Sequence, residues 1–176
     1  MPLKHSSGYS LLEMLVVLAI LSLVGWATIP SLQHYQQRTQ LQQQLQAYTQ
    51  AAQQARQYAM AHGQAVAMAA PQHHWQLGWQ VFIDQDRDGA YTSGTDTLLQ
   101  NYPALPAGLQ VQAPTDHTGG TNTLALGYVL WTPQGFPRTA TGGMATGHLL
   151  FSSASLSYQL ILHRTGRLRS CIPTEC

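Results

Sequence analysis

The chain has 176 residues, only 9% of them charged, and a formal net charge of +1 with the histidines neutral. Its polarity comes instead from Gln, Thr, Ser and Gly, which suits an extracytoplasmic protein packed among copies or partners rather than a free cytosolic enzyme. Beyond the apolar N-terminal stretch roughly 145 residues remain, a length that buries one core, so a single globular domain is expected.

A short polar leader ends at Gly8, and residues 9–28 are then a mostly apolar stretch in which Glu13 is the lone carboxylate. About 20 apolar residues in a helix are enough to cross the ~30 Å hydrocarbon core of a bilayer, so residues 9–30 read as a transmembrane stretch. Holding a carboxylate there costs about 2.5–3.5 kcal/mol, which makes Glu13 a functional candidate in need of a cation. Its own helix supplies none nearby. A secretory signal peptide is the competing reading, but its small residues would follow the apolar run, and here Gly8 precedes it.

Gly8, Tyr9, Glu13 and Pro30, in this order, resemble the class III leader of type IV pilins and type II secretion pseudopilins. The resemblance implies that residues 1–8 are a prepilin leader. A prepilin peptidase would cut between Gly8 and Tyr9 and methylate the new amine of Tyr9, where the family usually has Phe. Glu13, fifth in the mature chain, would then pair with the N-terminal ammonium of a neighbouring subunit, an opposite charge delivered as subunits pack. The implied location is the inner membrane, crossed once, with a periplasmic domain and an extracellular pilus after assembly. Other pilins or pseudopilins are the implied partners.

Past Pro30, Leu32, Tyr35, Leu41, Leu45, Tyr48, Ala52, Ala55 and Ala59 recur at helical spacing through a glutamine-rich segment. Gly63 is the expected C-terminal stop. A disordered Gln tract is the alternative, but the spacing and the lack of Pro and Gly favour the helix. Residues 31–62 are therefore the amphipathic half of one helix over residues 9–62. At 1.5 Å per residue it would be about 80 Å long, bare in its first half and packed on the domain in its second.

Residues 63–176 change period. Alternating apolar positions between Gly, Pro, Asn and Asp clusters predict strands at 66–70, 75–83, 97–102, 108–112, 123–131, 148–152 and 157–163. The expected class is α+β, a long N-terminal helix packed on a C-terminal antiparallel sheet domain. This order, with Gly78-Trp79-Gln80-Val81-Phe82-Ile83-Asp84 and Gly166-Arg167-Leu168-Arg169, resembles the GspH/FimT branch of pseudopilins and minor pilins.

Asp84-Gln85-Asp86-Arg87-Asp88-Gly89 begins like a calcium loop, with Asp84, Asp86 and Asp88 as candidate ligands, but position twelve is Thr95 rather than Glu. The preferred reading is a hairpin turn whose Asp side chains take local backbone N–H groups. Calcium is the alternative, and no other cofactor is expected. Both cysteines, Cys171 and Cys176, lie in the last six residues, and in an exported protein a disulfide between them is expected. A metal pair or two free thiols are the other readings, although C-x4-C with no second ligand pair is a poor zinc signature.

Charge is unevenly distributed. Residues 84–116 are locally acidic, whereas residues 138–176 carry Arg138, Arg164, Arg167 and Arg169. Arginine suits bidentate phosphate contact, and Arg167 and Arg169 alternate, so they should point the same way, with Arg164 and His163 close by. Gly166-Arg167-Leu168-Arg169 resembles the GRxR tail motif of FimT-type minor pilins, which is associated with DNA binding in natural transformation. The resemblance implies double-stranded DNA as a partner, with Arg167, Arg169 and Arg164 as contacts and Gly166 turning the backbone. A surface that only solvates the domain or meets a neighbouring pilin is the bland alternative.

Adjacent His73 and His74 diverge too readily to share a metal ion, and a zinc site needs three or four converging ligands. No G-x-S-x-G, H-E-x-x-H or phosphate-cradling glycine loop is present, so no enzyme activity is expected. Two functions remain: a minor type IV pilin that binds DNA and supports uptake, twitching or pilus assembly, and a GspH-like pseudopilin of a type II secretion system that is purely structural.

Overall fold

The computed structural model describes residues 10–115, 121–154, 156–174 and 176, and within residues 23–34 the backbone alone. Two compact units divide the chain, Met1–Gln36 and Gln37–Cys176. One helix, α1 (Leu11–His62), runs from the first into the second. Gly8 and Tyr9 lie outside the described residues.

In the first unit, Glu13 occupies the first turn of α1, and Leu11, Leu12, Leu15, Leu18 and Leu21 are all exposed. A helix that is apolar on every side needs a cover that it does not supply itself. Among the described residues no helix is long and apolar enough to cross a membrane, so the expected span at residues 9–30 rests on the sequence alone.

In the second unit the helical stripe is buried as its spacing predicts. Leu41, Leu45, Tyr48, Ala52, Ala55 and Ala59 are covered, joined by Ala51. Tyr35, in the first unit, departs from the pattern and is 68% exposed. The helix stops at Gly63, whose φ of +67° is a left-handed conformation and whose N–H donates to the carbonyl of Ala59 at 3.0 Å, a glycine C-terminal stop.

Nine strands follow among the described residues: β1 (Val66–Ala69), β2 (Trp79–Ile83), β3 (Thr97–Tyr102), β4 (Gln110–Gln112), β5 (Tyr128–Trp131), β6 (Pro137–Arg138), β7 (Gly147–Ser152), β8 (Ser157–Leu162) and β9 (Leu168–Cys171). They form two antiparallel sheets, ordered β3-β2-β1-β5-β6 and β4-β7-β8-β9. Val66, Met68, Val81 and Trp131 of the first sheet share one core with the helical stripe and with Leu149, Phe151 and Leu160 of the second. At its centre the Tyr48 ring meets Trp75, Trp79 and Phe151 edge-on at 5.4, 5.3 and 6.0 Å, the geometry that aromatic quadrupoles favour.

Strand β1 is buried on both faces. Its other face packs Ala67 and Ala69 with Phe82, Leu130, Tyr91 and Tyr128. The stretch between β2 and β3 supplies Tyr91, edge-on to Phe82 at 5.4 Å, so the acidic segment is drawn over the outer side of the first sheet.

The structure corrects two strand expectations. Trp75–Leu77 is a 3-10 turn, and only Trp79 begins the strand expected at 75–83. The indole N–H of Trp75 donates to the carbonyl of Leu124 at 2.8 Å, which fixes this aromatic in the core without a ladder. Similarly, Thr123–Leu126 is a 3-10 turn and β5 starts at Tyr128. Asn122 caps that turn by accepting from the N–H of Leu124, while its amide donates to the carbonyls of Pro114 and His148. A local side-chain acceptor has outcompeted the sheet.

Candidate functional site

Strands β8 and β9 are joined by a tight turn that carries the arginine cluster. Their register pairs Leu162 with Leu168 and Ile161 with Arg169. At the turn, the N–H of His163 donates to the carbonyl of Arg167 at 2.9 Å and that of Gly166 to the carbonyl of His163 at 2.8 Å. Arg164, Arg167 and Arg169 are exposed, while Leu168, between the last two, packs against the core. The period-two alternation of an extended chain thus places Arg167 and Arg169 on one face, as the sequence predicts. No ion pair engages these three arginines among the described residues.

Gly166 is required here for two reasons. Its φ is +80°, a region that L residues with a Cβ rarely occupy. A Cβ at this position would also lie 2.8 Å from Trp131 Cζ3 and 3.1 Å from the carbonyl oxygen of Gly135. The turn is therefore pressed onto the core and onto the β5–β6 turn. Beyond β9 a disulfide joins Cys171 to Cys176, with the Cα atoms 5.6 Å apart, and ties down the end of the chain. It restricts the conformational freedom of the tail.

One cation near this turn has no counterpart in the sequence reading. Arg56 of α1 is half-buried, and its Cζ lies 3.3 Å from the point a Cβ on Gly166 would occupy. Its Nη1 donates to the Gly166 carbonyl at 3.5 Å, a long bond, and its Nε is buried with no hydrogen-bond partner. A signal was available: Arg56 stands four residues after Ala52 and three before Ala59, which on a helix is the border of the buried stripe.

The acidic turn has the opposite character. Asp84, 1% exposed, accepts from the N–H of Arg87 at 2.6 Å and from that of Gly89 at 3.0 Å. Asp96 accepts from Gln85 and Thr92 at 3.1 and 2.7 Å, and Asp88 from Ala90 at 2.7 Å. Burial pushes the Asp84 carboxyl up to about 6, outweighing the backbone donors that favour its charged form. The ligand atoms of Asp84, Asp86 and Asp88 lie within 4.8 Å of one another, but backbone N–H groups already occupy these carboxylates, the arrangement that a structural Asx turn needs. Among the described residues no other cluster of three or more His, Cys, Asp or Glu side chains comes close enough to hold a metal ion. His73 instead bonds the Leu126 carbonyl through Nδ1 at 2.8 Å. Of the two aromatics beside the β5–β6 turn, Trp131 is buried and Phe136 is 45% exposed.

The model of type II transport protein GspH matches residues 44–166, and that of the prokaryotic N-terminal methylation motif matches residues 3–29. No curated protein is similar enough in sequence to match the chain. Among solved structures, the type IV minor pilin FimU of Pseudomonas aeruginosa strain PAO1 is similar in fold, with a TM-score of 0.57 at 16% identity over 81% of this chain and 95% of that one. The minor pseudopilin EpsH from the type 2 secretion system of Vibrio cholerae is similar with a TM-score of 0.52 at 12% identity, over 76% of this chain and 98% of that one. The helix, the two sheets and these matches agree that the chain belongs to the GspH family and is a type IV pilin-like minor pilin or pseudopilin.

Proposed function

We propose that this protein is a non-enzymatic minor pilin whose β8–β9 turn binds the phosphate backbone of duplex DNA. The observation that carries the reading is the exposed set of Arg164, Arg167 and Arg169 around Gly166, unpaired among the described residues. Three or four phosphate contacts by such side chains give weak, sequence-independent affinity with a log–log salt slope of about −3. DNA uptake in natural transformation is the task this would serve. The test is an electrophoretic shift of duplex DNA by the full chain in nonionic detergent at low salt. Arg167→Gln with Arg169→Gln should abolish the shift; equal binding by this double variant removes the DNA assignment.

The match to a type II transport protein favours a second reading, a structural pseudopilin that touches partner subunits and not DNA. Absence of any shift by the unaltered protein would select it. In either reading Gly8 and Tyr9 are the processing site for a prepilin peptidase, residues 9–30 anchor the chain in the inner membrane, and Glu13 pairs with a neighbour's N-terminal ammonium during assembly. The exposed apolar helix around Glu13 supports this, because both the stripe and the acid then find cover in the membrane or the filament. Glu13→Leu should leave the protein membrane-associated and strongly reduce its recovery in sheared filaments. Undiminished recovery would exclude the pairing.

A further inference from the structure

We infer that the phosphate-binding surface does not end at the tail turn but continues across the β5–β6 turn, with Arg56 beneath it and Arg138 at its far end as additional cations for a nucleic-acid backbone. This rests on the DNA reading above and enlarges its site. The two turns abut: the carbonyl of Gly135 lies 3.1 Å from the position of a Cβ on Gly166. Arg56 reaches both, since its Nε lies 3.2 Å from the corresponding position on Gly135 and its Cζ 3.3 Å from that on Gly166. A guanidinium has five N–H donors, and here they make a single long bond to a carbonyl, with the Nε buried and unmatched. Such a group is left with donor capacity and full charge, both of which a phosphate nearby would use.

The β5–β6 turn then leads into a groove of about 290 Å³ lined by Thr132, Gln134, Arg138 and Thr139. Arg138 is half-buried there, and among the described residues its guanidinium makes a single long hydrogen bond, from Nη1 to the Gly142 carbonyl at 3.4 Å. No carboxylate pairs with it among the described residues. Arg87 also lines the groove, but it belongs to the acidic turn, where Asp86 and Asp88 flank it in sequence and offset its charge for an approaching anion. The groove is therefore attractive to phosphate on the Arg138 side. Phe136, 45% exposed on the same turn, offers an apolar surface for sugar or base. Arg56 thus packs against both turns, and Arg138 lines the groove beside one of them, although the helix, the β5–β6 hairpin and the tail are far apart in sequence.

The salt dependence of binding counts the cations. With Arg56 and Arg138 added to the tail, the slope of log K against log salt for duplex DNA should steepen from about −3 to about −4.5. The experiment measures it with the full chain in nonionic detergent. Arg138→Gln and Arg56→Gln should each lower the slope by about 1 and weaken binding equally for unrelated sequences. Arg56→Lys, which keeps the charge, should restore the slope, and Arg87→Gln should change nothing. Thermal unfolding of each variant identifies any that is misfolded, and Arg138, outside the core, keeps the test open should Arg56→Gln not fold. A slope near −3 with unaltered binding by Arg138→Gln overturns the inference and leaves the tail as the whole site. No binding by the unaltered protein, or binding unaffected by the tail double variant, overturns the DNA reading itself and this inference with it.

Discussion

Two charged turns in the same folded unit put their charges to opposite uses. In the acidic turn after β2, Asp84 and Asp96 together accept four backbone N–H groups from within the segment itself, so the carboxylates hold the turn's own shape. In the basic turn between β8 and β9 the backbone closes on itself through His163, Gly166 and Arg167, and the arginine side chains take no part. Their charge stays outside, without an ion-pair partner among the described residues. A cluster of like charges is therefore uninformative until its hydrogen bonds are traced: where they are consumed locally the cluster is structural, and where they are not the cluster is available to a ligand.

Each turn can be broken in a way that tests this contrast. The largest effect is expected for Asp84→Ala, which leaves the N–H groups of Arg87 and Gly89 unmatched in a buried setting. It should destabilise the Gln37–Cys176 unit by about 2–4 kcal/mol in urea unfolding, at one to a few kcal/mol per orphaned buried donor, without altering DNA binding per folded molecule. Gly166→Ala is expected to cost less, about 1–3 kcal/mol, from a strained positive φ and the contact with Trp131. It should also weaken DNA binding, because the arginines are re-aimed. Full DNA affinity in a folded Gly166→Ala protein would show that the turn's geometry is irrelevant to the arginines.

A third effect is one of pH. The folded Asp84 carboxyl keeps its proton up to about pH 6, against an ordinary value of 3.8, so the folded state binds more protons than the unfolded one between these values. That contribution is fully present below pH 3.8 and is lost as pH rises through 6, at no more than about 1.4 kcal/mol per pH unit. Comparison with Asp84→Asn between pH 4 and 7 isolates it from other groups. Parallel profiles for the two proteins would show that burial does not perturb this acid.

Much of the architecture was legible in the chain. The three- and four-residue spacing from Leu41 to Ala59 was sufficient to place the buried stripe, since a regular helix leaves no freedom as to which side chains share a face. β3 matches its expected bounds, residues 97–102, because turn-forming residues isolate it on both sides. The failures lie where a side chain supplied what the backbone ladder would have: Trp75 bonded to Leu124, and Asn122 gathering Leu124, Pro114 and His148. Strand β6, only two residues long, has too short a pattern to stand out. Arg56 is inconspicuous in the sequence for a different reason. In a glutamine-rich helix that also carries Arg38, an arginine at the border of the stripe looks like one more solvated side chain, and its packing against Gly135 and Gly166 sets it apart.

The sequence by itself determined the family, the helix and its apolar stripe, the acid at Glu13 and the exposed alternation of Arg167 and Arg169, because each depends on spacing along one chain segment. Only the tertiary structure decided which charges remain free and which cations become neighbours. Residues 56, 135 and 166 meet through packing of a helix and two hairpins, and no local periodicity encodes a contact between segments so far apart in the chain.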